Sequence, residues 1–373
     1  MLRMNGIDDG EVILDDLVYV DLSAKDLEKH RIQPGELLFN RTNSYDLVGK
    51  SAVFEGEGDF VCASYIVRFS LREKDILPRY ASYYFNTQIA QNRLKALATK
   101  AVSQANINPS ILQKHFKVVL PTLPEQRKIA RILGVWDRAL TDLDALIEVK
   151  RRRKEGLAQR LLTGRLRLPG FEDKPWRRVR LTEVTRESRK RNDGSLGEDR
   201  LYGVTKAEGM IPNQDRIQVD DVSRYKIVRP KAFAYNPMRL NIGSIARLEE
   251  PFPVLVSPDY VVFECRPDQL DSDYLNHVRR SHEWHRFMER AGSGSVRVRI
   301  YFNHLRLMKL KLPSDVEEQR RIAAVLNAAA AEVAALEDRR DALARQKKGL
   351  MQRLLTGEIR VTPDAEDQQE AQE

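Results

Sequence analysis

Two long stretches of the chain carry apolar side chains at heptad spacing, and this pattern predicts two long α-helices. In the first stretch, residues 119–165, the apolar heptad positions are Ile129, Leu133, Trp136, Leu140, Leu143, Ile147, Leu157 and Leu161. In the second stretch, residues 313–357, they are Ile322, Leu326, Ala329, Val333, Leu336, Leu343, Leu350 and Leu354. Basic residues interrupt both seams at Lys150, Lys154, Arg340 and Lys347. We predict that the two helices pack on each other as an antiparallel coiled coil; the alternative is that each lies on its own neighbouring domain.

The ends of both stretches carry the residues that start and stop helices. Capping boxes, in which a hydroxyl residue is followed three residues later by glutamate, stand at Thr122–Glu125 and Ser314–Glu317. Gly164 and Gly357 follow the last apolar positions and suit the left-handed conformation that closes a helix. Each helix is therefore expected to have about 40 residues and a length of roughly 60 Å.

The same two motifs occur in both stretches at one fixed offset. The segment Glu125–Ala130 (EQRKIA) returns as Glu318–Ala323 (EQRRIA), and Gly156–Gly164 (GLAQRLLTG) returns as Gly349–Gly357 (GLMQRLLTG). The offset is 193 residues for both motifs. A constant spacing with free sequence between is what a long helix imposes, because each inserted residue turns the apolar stripe by about 100°.

The segment before each long helix has the pattern of a mixed domain. Short apolar runs separated by turn residues predict a curled sheet, with helices near residues 79–97 and 272–291. The runs at 32–40, 48–52 and 61–69 are echoed at 228–236, 242–246 and 254–263. The loops between these runs share almost nothing. We therefore predict an α+β protein with two related mixed α/β domains, separated by two long helices that form an antiparallel coiled coil, and a pseudo-two-fold internal repeat.

Five segments follow from these patterns. They are a first mixed domain at 1–118, a first long helix at 119–165, a second mixed domain at 166–312, a second long helix at 313–357 and an acidic C-terminal tail at 358–373. Residues 166–200 have no counterpart ahead of the first domain, so that domain is expected to be short at its N-terminus. Glu358–Val361 parallels Arg165–Leu168 and is expected to supply part of the missing edge.

Charge is uneven along the chain. The net charge of +9 arises mainly from the second domain, at +8, and the first long helix, at +5, whereas the tail carries −5. A basic domain beside a basic helix favours a polyanionic partner, most often nucleic acid. The two cysteines offer neither a disulfide framework nor metal-ligand spacing, and no run of 18 apolar residues exists. With a polar N-terminus, these features predict a cytoplasmic protein.

The sequence lacks the motifs of an enzyme that acts on DNA. The string Asn236-Pro237-Met238-Arg239 lacks the second proline and the aromatic ring of an adenine methyltransferase loop and is interpreted as a turn. No glycine-rich phosphate loop follows a predicted strand. His282 and His285 share a helix face without a third ligand nearby, so we expect no metal site.

The repeated pattern Pro-(x)-Glu-Gln-Arg-x-Ile-Ala, then a long heptad helix and Gly-Leu-x-Gln-Arg-Leu-Leu-Thr-Gly, resembles the specificity subunits of type I restriction–modification systems over residues 1–357. The resemblance implies two target recognition domains, each reading one half of a split, asymmetric DNA sequence, with the helical pair setting the unread spacing. It implies a non-catalytic subunit that binds double-stranded DNA, two methyltransferase subunits and restriction/translocase subunits, without contact with a membrane. S-adenosylmethionine, ATP and Mg²⁺ are then used by the partners, and this chain binds no cofactor.

Loop residues able to form paired hydrogen bonds with base edges are the candidates for DNA reading. In the first domain these are Arg41, Thr42, Asn43, Ser44, Lys100, Gln104 and Asn106. In the second they are Tyr202, Lys206, Arg239, Asn241, Ser293, Ser295, Arg297 and Arg299. For each residue taken alone, the alternative is an ordinary capped turn or exposed loop.

The basic run Lys150–Lys154 has two interpretations. Arg151, Arg152 and Arg153 either contact a partner subunit or form a solvated helix face. Two other functions remain for the whole chain: a coiled-coil scaffold that does not read DNA, and an autonomous nuclease or methyltransferase. The polar loops and the basic second domain speak against the first, and the missing motifs against the second.

Overall fold

A computed structural model describes residues 1–8, 10–102, 104–213, 221–292, 299–365 and 368. The chain divides into two compact units. Unit 1 comprises Met1–Ala145 and Glu337–Glu373, and unit 2 comprises Leu146–Leu336. Each unit thus contains one mixed domain, the beginning of one long helix and the end of the other. Across the described residues, no helix combines the length and the apolar character needed to cross a membrane.

The two long helices are Leu123–Leu162 and Val316–Leu355, with 40 residues each. Gly164 and Gly357 have φ of 73° and 78° and close them as the sequence predicts. Of the predicted capping box at Thr122, the half formed by Glu125 is observed: its carboxylate accepts from the backbone N–H and the hydroxyl of Thr122 at 3.2 and 3.1 Å. The predicted cap at Ser314 is wrong: Asp315 Oδ1 accepts from Glu317 N at 2.9 Å and caps the second helix instead.

Unit 1 is built from short strands and helices around a small antiparallel sheet. Its strands are β1 (Ile7–Asp8), β2 (Glu11–Val12), β3 (Leu37–Asn40), β4 (Thr42–Asn43), β5 (Ser51–Val53), β6 (Ile66–Phe69), β7 (Thr99–Lys100) and β8 (Ala105–Asn106). Its shorter helices are Met4–Gly6 (3₁₀), Ala24–His30, Pro78–Phe85, Gln88–Ala96 and Pro109–His115. Asn86 and Thr87 divide the helix predicted at 79–97, because Thr87 caps a new helix through its hydroxyl.

Unit 2 repeats this plan with additions. Its strands are β9 (Trp176–Arg180), β10 (Thr185–Ser188), β11 (Tyr202–Thr205), β12 (Gly209–Pro212), β13 (Lys226–Val228), β14 (Phe233–Tyr235), β15 (Ile245–Arg247), β16 (Val254–Val256), β17 (Val261–Cys265) and β18 (Lys309–Pro313). Its shorter helices are Leu181–Val184, Glu198–Arg200 (3₁₀), Ser272–Val278, His282–Gly292 and Phe302–Leu307 (3₁₀). The helix predicted at 272–291 is therefore also two helices.

The central sheets of the two units share one topology. In unit 1 the order is β5-β3-β6, and in unit 2 it is β15-β14-β17, with β10 added beside β17. All of these pairings are antiparallel. Leu37 and Phe39 face one buried cluster and Leu38 the other, so both faces of the first sheet are covered. Together with the two long helices, this duplicated sheet confirms the predicted α+β class.

The added strands of unit 2 come from the segment without a counterpart in unit 1. β9 and β10 lie within 166–200, and β9 pairs with β18. In unit 1 the segment equivalent to β18 forms no strand, and Val119 and Leu120 are exposed there. The tail packs Ile359 and Val361 on the unit 1 core but forms no strand in its described part.

Within each unit the two long helices run antiparallel. In unit 1 the beginning of the first helix, at Ile129 and Leu133, shares a buried cluster with Leu354 and Leu355 at the end of the second. In unit 2 the roles are reversed, and Leu161 packs with Ile322 and Leu326. Ion pairs also join the helices: Arg340 Nε lies 3.2 Å from Asp144 in unit 1, and Lys150 bonds to Glu332 in unit 2.

The glutamine of the repeated motif fastens each long helix to its domain. Gln126 and Gln319 are fully buried and each bonds to three backbone groups. Each glutamine accepts one bond from the N–H of the residue that precedes a domain helix, and donates to two carbonyls. The helix is Pro78–Phe85 for Gln126 and Ser272–Val278 for Gln319. The partners are Leu77 N, Asp75 O and Pro121 O, each 2.9 Å from Gln126, and Asp271 N at 2.9 Å, Gln269 O at 3.1 Å and Pro313 O at 3.0 Å from Gln319. A side-chain amide that satisfies three buried backbone groups accounts for the repeated glutamine.

The glutamate of the motif binds an arginine that follows the other long helix. In unit 2, Arg167 donates to Glu318 at 2.9 and 3.1 Å, and Trp176 Nε1 donates to the same carboxylate at 3.3 Å. In unit 1, Arg360 donates to Glu125 at 3.0 and 2.5 Å and holds the pKa of that carboxyl below its usual range. The motif therefore joins the beginning of one long helix to the residues beyond the end of the other.

These two ion pairs differ in burial and should differ in strength. Arg167 is 20% exposed and Glu318 fully buried, whereas Arg360 is 71% exposed and its partner Glu125 is 9% exposed. Removing one partner of a buried pair costs about 3–5 kcal/mol, and the cost is smaller where solvent screens one partner, as it does at Arg360. Arg167→Ala should therefore speed amide hydrogen exchange at the beginning of the second long helix much more than Arg360→Ala does at the first. The exposed Arg178→Ala is the control, and equal effects of the two substitutions would contradict this account.

Candidate nucleic-acid interface

The two candidate reading segments of the first domain come together in the structure. Arg41–Tyr45 and Lys100–Asn108 contribute to one three-stranded antiparallel sheet with the order β4-β8-β7. Asn43 and Lys100 both lie opposite Ala105 in its register. Asn106 Nδ2 donates to Thr42 Oγ1 at 2.7 Å, and Ile107 N donates to Arg41 O at 2.8 Å. Thr42 and Asn106 thus hold the sheet together.

The remaining candidates of this domain lie on the exposed side of that sheet. Gln104 is exposed next to the hairpin tip, where its carbonyl accepts from Ala101 N at 2.7 Å. Lys100 Nζ lies 3.7 Å from the centroid of the exposed Tyr45 ring. Ser44 is exposed and its N–H donates to Asn43 Oδ1 at 2.8 Å. We name the surface formed by residues 41–45 and 99–106, excluding residue 103, reading surface 1.

Arg41 is the most constrained residue of reading surface 1. It is half-buried, and no group in the described part of the chain accepts a hydrogen bond from its buried Nε. An unpaired buried donor costs about 1–3 kcal/mol.

The second domain places Arg239 and Asn241 at the equivalent position. Both are exposed in the turn after β14, and Arg239 N donates to Asn236 O at 2.9 Å. Ile300 N donates to Pro237 O at 3.0 Å, just as Ile107 N does to Arg41 O in the first domain. The exposed Arg299 therefore lies beside this turn. Ser293, Ser295 and Arg297 lie outside the described residues.

A hairpin that the first domain lacks carries the other two candidates. Lys206 is exposed at the tip between β11 and β12, and Tyr202 is half-buried near its base. The hairpin is fixed to the sheet because Ser244 Oγ donates to Val204 O at 2.9 Å. Between hairpin and sheet lies a cleft of about 380 Å³, whose lining includes Lys206, Asn241, Arg279, Arg280 and Trp284. We name this surface, with the turn at 236–244, reading surface 2.

Two cationic residues of this cleft, Arg279 and Arg280, are not among the DNA-binding candidates that the sequence predicts. Arg279 and Arg280 lie within the segment predicted as helix, and nothing but the adjacent pair of arginines marks them. Arg279 donates to Asn276 Oδ1 at 2.8 Å and Ile245 O at 3.0 Å, both neutral oxygens. Burial and the neighbouring Arg280 lower the pKa of Arg279 to about 10, so it is still protonated at neutral pH. The cleft is therefore cationic, which suits a phosphate.

The three arginines within the basic run of the first long helix are exposed. Arg151, Arg152 and Arg153 all lie on the surface, and Arg151 Nη1 donates to Glu148 at 2.6 Å within the same helix. Both interpretations of this run remain compatible with these positions. Among the described residues, no group of three or more metal-ligating side chains is found, and Cys62 and Cys265 are free thiols.

Known proteins resemble this chain over part or most of its length. Residues 19–151 match the family model of the type I restriction modification DNA specificity domain. The putative type I restriction enzyme MjaX specificity subunit of Methanocaldococcus jannaschii is 25% identical over 385 residues, covering 96% of this chain and 87% of that protein. The type I restriction enzyme EcoKI specificity subunit of Escherichia coli is 28% identical over 134 residues, covering 35% of this chain and 28% of that protein.

Solved structures share the fold over most of the chain. The S subunit of a type I restriction–modification system from M. genitalium has a TM-score of 0.56 at 16% identity, over 88% of this chain and 84% of that one. The HsdS subunit from Thermoanaerobacter tengcongensis has a TM-score of 0.51 at 20% identity, over 96% and 90%. The chain thus shares the fold of these S subunits. Residues 19–151 match the type I restriction modification DNA specificity domain, and over most of its length the chain resembles the specificity subunits of type I restriction–modification systems.

Lys100 provides a test of reading surface 1 by its charge. If its ammonium group neutralises a DNA phosphate, Lys100→Gln should weaken binding and make the slope of log K against log salt about 0.9 shallower. The control is Lys74→Gln. Lys74 is exposed and follows the end of β6 that pairs with Leu37, which is the end of β3 remote from Arg41. Fluorescence anisotropy at several salt concentrations measures both variants. Equal slopes for the two variants would exclude Lys100 from the phosphate contacts.

Proposed function

We propose that this chain reads a bipartite, asymmetric DNA sequence, with reading surface 1 recognising one half and reading surface 2 the other. The main support is that two domains of the same sheet topology carry unrelated exposed loops at equivalent positions, at 41–45 and 236–244. A common scaffold with different loops is how related domains recognise different targets. The similarity to type I specificity subunits supports DNA as that target.

The side chains of the two surfaces suggest separate roles in this proposal. Amides and guanidinium groups read base edges in the major groove, so Asn43, Gln104, Asn241 and Arg239 are assigned to base contacts. Point charges bind the backbone and set the position on the duplex. Of the candidates on the surfaces, Lys100 and Lys206 fit this second role, and the cleft lined by Arg279 and Arg280 adds to it.

The long helices are proposed to set the number of unread base pairs between the two halves of the site. This rests on the constant 193-residue offset between the repeated motifs and on the equal length of the two helices, 40 residues each. An insertion or deletion in one copy would disturb both the apolar seam and this equality. A fixed spacing is the property that such a constraint would preserve.

The chain is proposed to direct other subunits to the bound DNA and to contribute no catalytic residue itself. Two methyltransferase subunits would methylate adenine at N6, and restriction/translocase subunits would cut DNA with ATP, all in the cytoplasm. S-adenosylmethionine, ATP and Mg²⁺ would then be used by those subunits. The exposed run Arg151–Arg153 is the proposed partner contact on the first long helix.

Half-site specificity should be separable by unit. Replacing Arg41, Asn43 and Gln104 by alanine should relax one half of the methylated sequence, at about 1–3 kcal/mol for each lost paired base contact. Replacing Arg239 and Asn241 should relax the other half and leave the first unchanged. Sequencing that detects N6-methyladenine in cells carrying each variant with its partner subunits measures both halves at once.

The control for the first set is Gln33→Ala with Arg72→Ala, two exposed residues at the opposite end of β3 and β6. These substitutions should leave the methylated sequence unchanged. Relaxation of both halves by either set would contradict the assignment of one half to each unit. Unchanged specificity in all variants would exclude the replaced residues from base reading, and absence of DNA binding by the unmodified chain would favour the coiled-coil scaffold that does not read DNA.

A further inference from the structure

The constant offset between the two units allows their helix contacts to be compared position by position. In unit 1, Asp137 on the first long helix joins three elements. Tyr83 of helix Pro78–Phe85 donates to one carboxylate oxygen, and Lys347 of the second long helix pairs with the other. Arg79 lies 3.7 Å away. A single carboxylate thus ties the domain of unit 1 to both long helices.

Unit 2 keeps the lysine of this arrangement and lacks the carboxylate. Lys154 is the counterpart of Lys347 at the 193-residue offset, and Ala330 is the counterpart of Asp137. Lys154 is half-buried, and no described side chain forms an ion pair with it. Desolvating an ammonium group without a counter-charge is unfavourable, so this position is incomplete within the chain.

A second difference explains why no residue of the domain replaces the missing carboxylate. His277 occupies the position of Tyr83, and its Nε2 lies 2.8 Å from Asn327 Oδ1, one turn before Ala330. In unit 1 the counterpart of Asn327 is Gly134, whose missing side chain leaves the Tyr83 hydroxyl free to pass towards Asp137. In unit 2 the His277 side chain contacts Asn327 and does not extend to Ala330, so the space beside Ala330 stays open.

That space is part of a groove of about 860 Å³ within unit 2. Leu162, Phe287 and Leu326 contribute apolar surface to it. Two carboxylates, Glu155 and Glu283, stand among its described lining residues. The cationic side chains of the lining are Lys154, Arg165, Arg280, Arg286, Lys309 and Lys311. The groove therefore combines apolar walls with an excess of positive charge.

We propose that this groove receives a segment of a partner protein that presents a carboxylate to Lys154 and apolar side chains to Leu162 and Phe287. The carboxylate would take the place that Asp137 has in unit 1. The apolar walls favour a protein segment over nucleic acid, because a DNA backbone offers charge but no apolar side chains. The inference rests on the proposed function in one respect, since it takes a methyltransferase subunit as that partner.

The proposal implies that the two methyltransferase subunits are not bound by identical contacts. In unit 1 the equivalent position is closed by Asp137 from within the chain, so only unit 2 requires a carboxylate from the partner. Substituting Ala330 by aspartate would introduce the missing charge at the counterpart of Asp137. It would neutralise Lys154 internally and repel an incoming carboxylate.

The test uses the full-length chain purified with its methyltransferase subunit, and native mass spectrometry counts the subunits bound. The unmodified chain should bind two. Ala330→Asp should bind one of them at least about tenfold more weakly, since like charges brought together at an interface strongly disfavour binding. The matched control is Ala331→Asp, which adds the same charge at an exposed position of the same helix. Lys154→Met, which adds no charge and keeps an apolar chain of similar length, should weaken the same subunit.

Two unchanged subunits in both Ala330→Asp and Lys154→Met would overturn the groove proposal and leave the proposed function intact. Failure of the unmodified chain to bind any methyltransferase would contradict both. DNA affinity of the chain alone should be unaffected by either variant. Weaker DNA binding by the two variants, with both subunits retained, would mean that the groove holds DNA and would also overturn the proposal.

Discussion

The structure depends on one buried polar cluster that occurs twice, at the beginning of each long helix. Gln126 and Gln319 satisfy backbone groups of their own domains, and Glu125 and Glu318 bind arginines that follow the end of the other helix. Neither unit is therefore complete without residues from both halves of the chain. Apolar packing supplies most of the stabilisation of a helix pair, but it tolerates slippage by a heptad. The directional bonds of the motif remove that freedom, because only one alignment satisfies all of the buried groups.

The duplicated framework leaves the loops free to differ. The sheets β5-β3-β6 and β15-β14-β17 share their order, yet unit 1 extends one end with the small sheet β4-β8-β7 and unit 2 adds the hairpin β11-β12. The same separation holds at the helix contacts, where Asp137 has Ala330 as its counterpart. Features needed to align helices and domains are kept in both copies, while the exposed loops and the position of Asp137 and Ala330 vary. The two halves of this chain are thus alike in construction and different in chemistry.

Much of this architecture could be predicted from the sequence, because helix periodicity and the repeated motif are strong, local signals. The central strands were recognisable from the echo between Leu37–Asn40 and Phe233–Tyr235. Other features carry no such signal. β4, β7 and β8 have two residues each, too few for an alternating pattern, so their union into one sheet follows only from tertiary pairing. Arg279 faces a cleft because a distant hairpin covers it, and Asp315 displaces Ser314 as a cap through a choice between adjacent residues.

The central claim is that each unit presents its own reading surface to one half of the DNA site. Hydrogen exchange of the chain bound to short duplexes tests this most directly, using the methylated sequence of the host with either half replaced. We expect the intact site to protect residues 41–45 and 99–108 together with 202–206 and 236–244. Replacing one half should remove protection from one of these two sets and leave the other protected. Simultaneous loss from both sets, or protection confined to the long helices, would contradict the account.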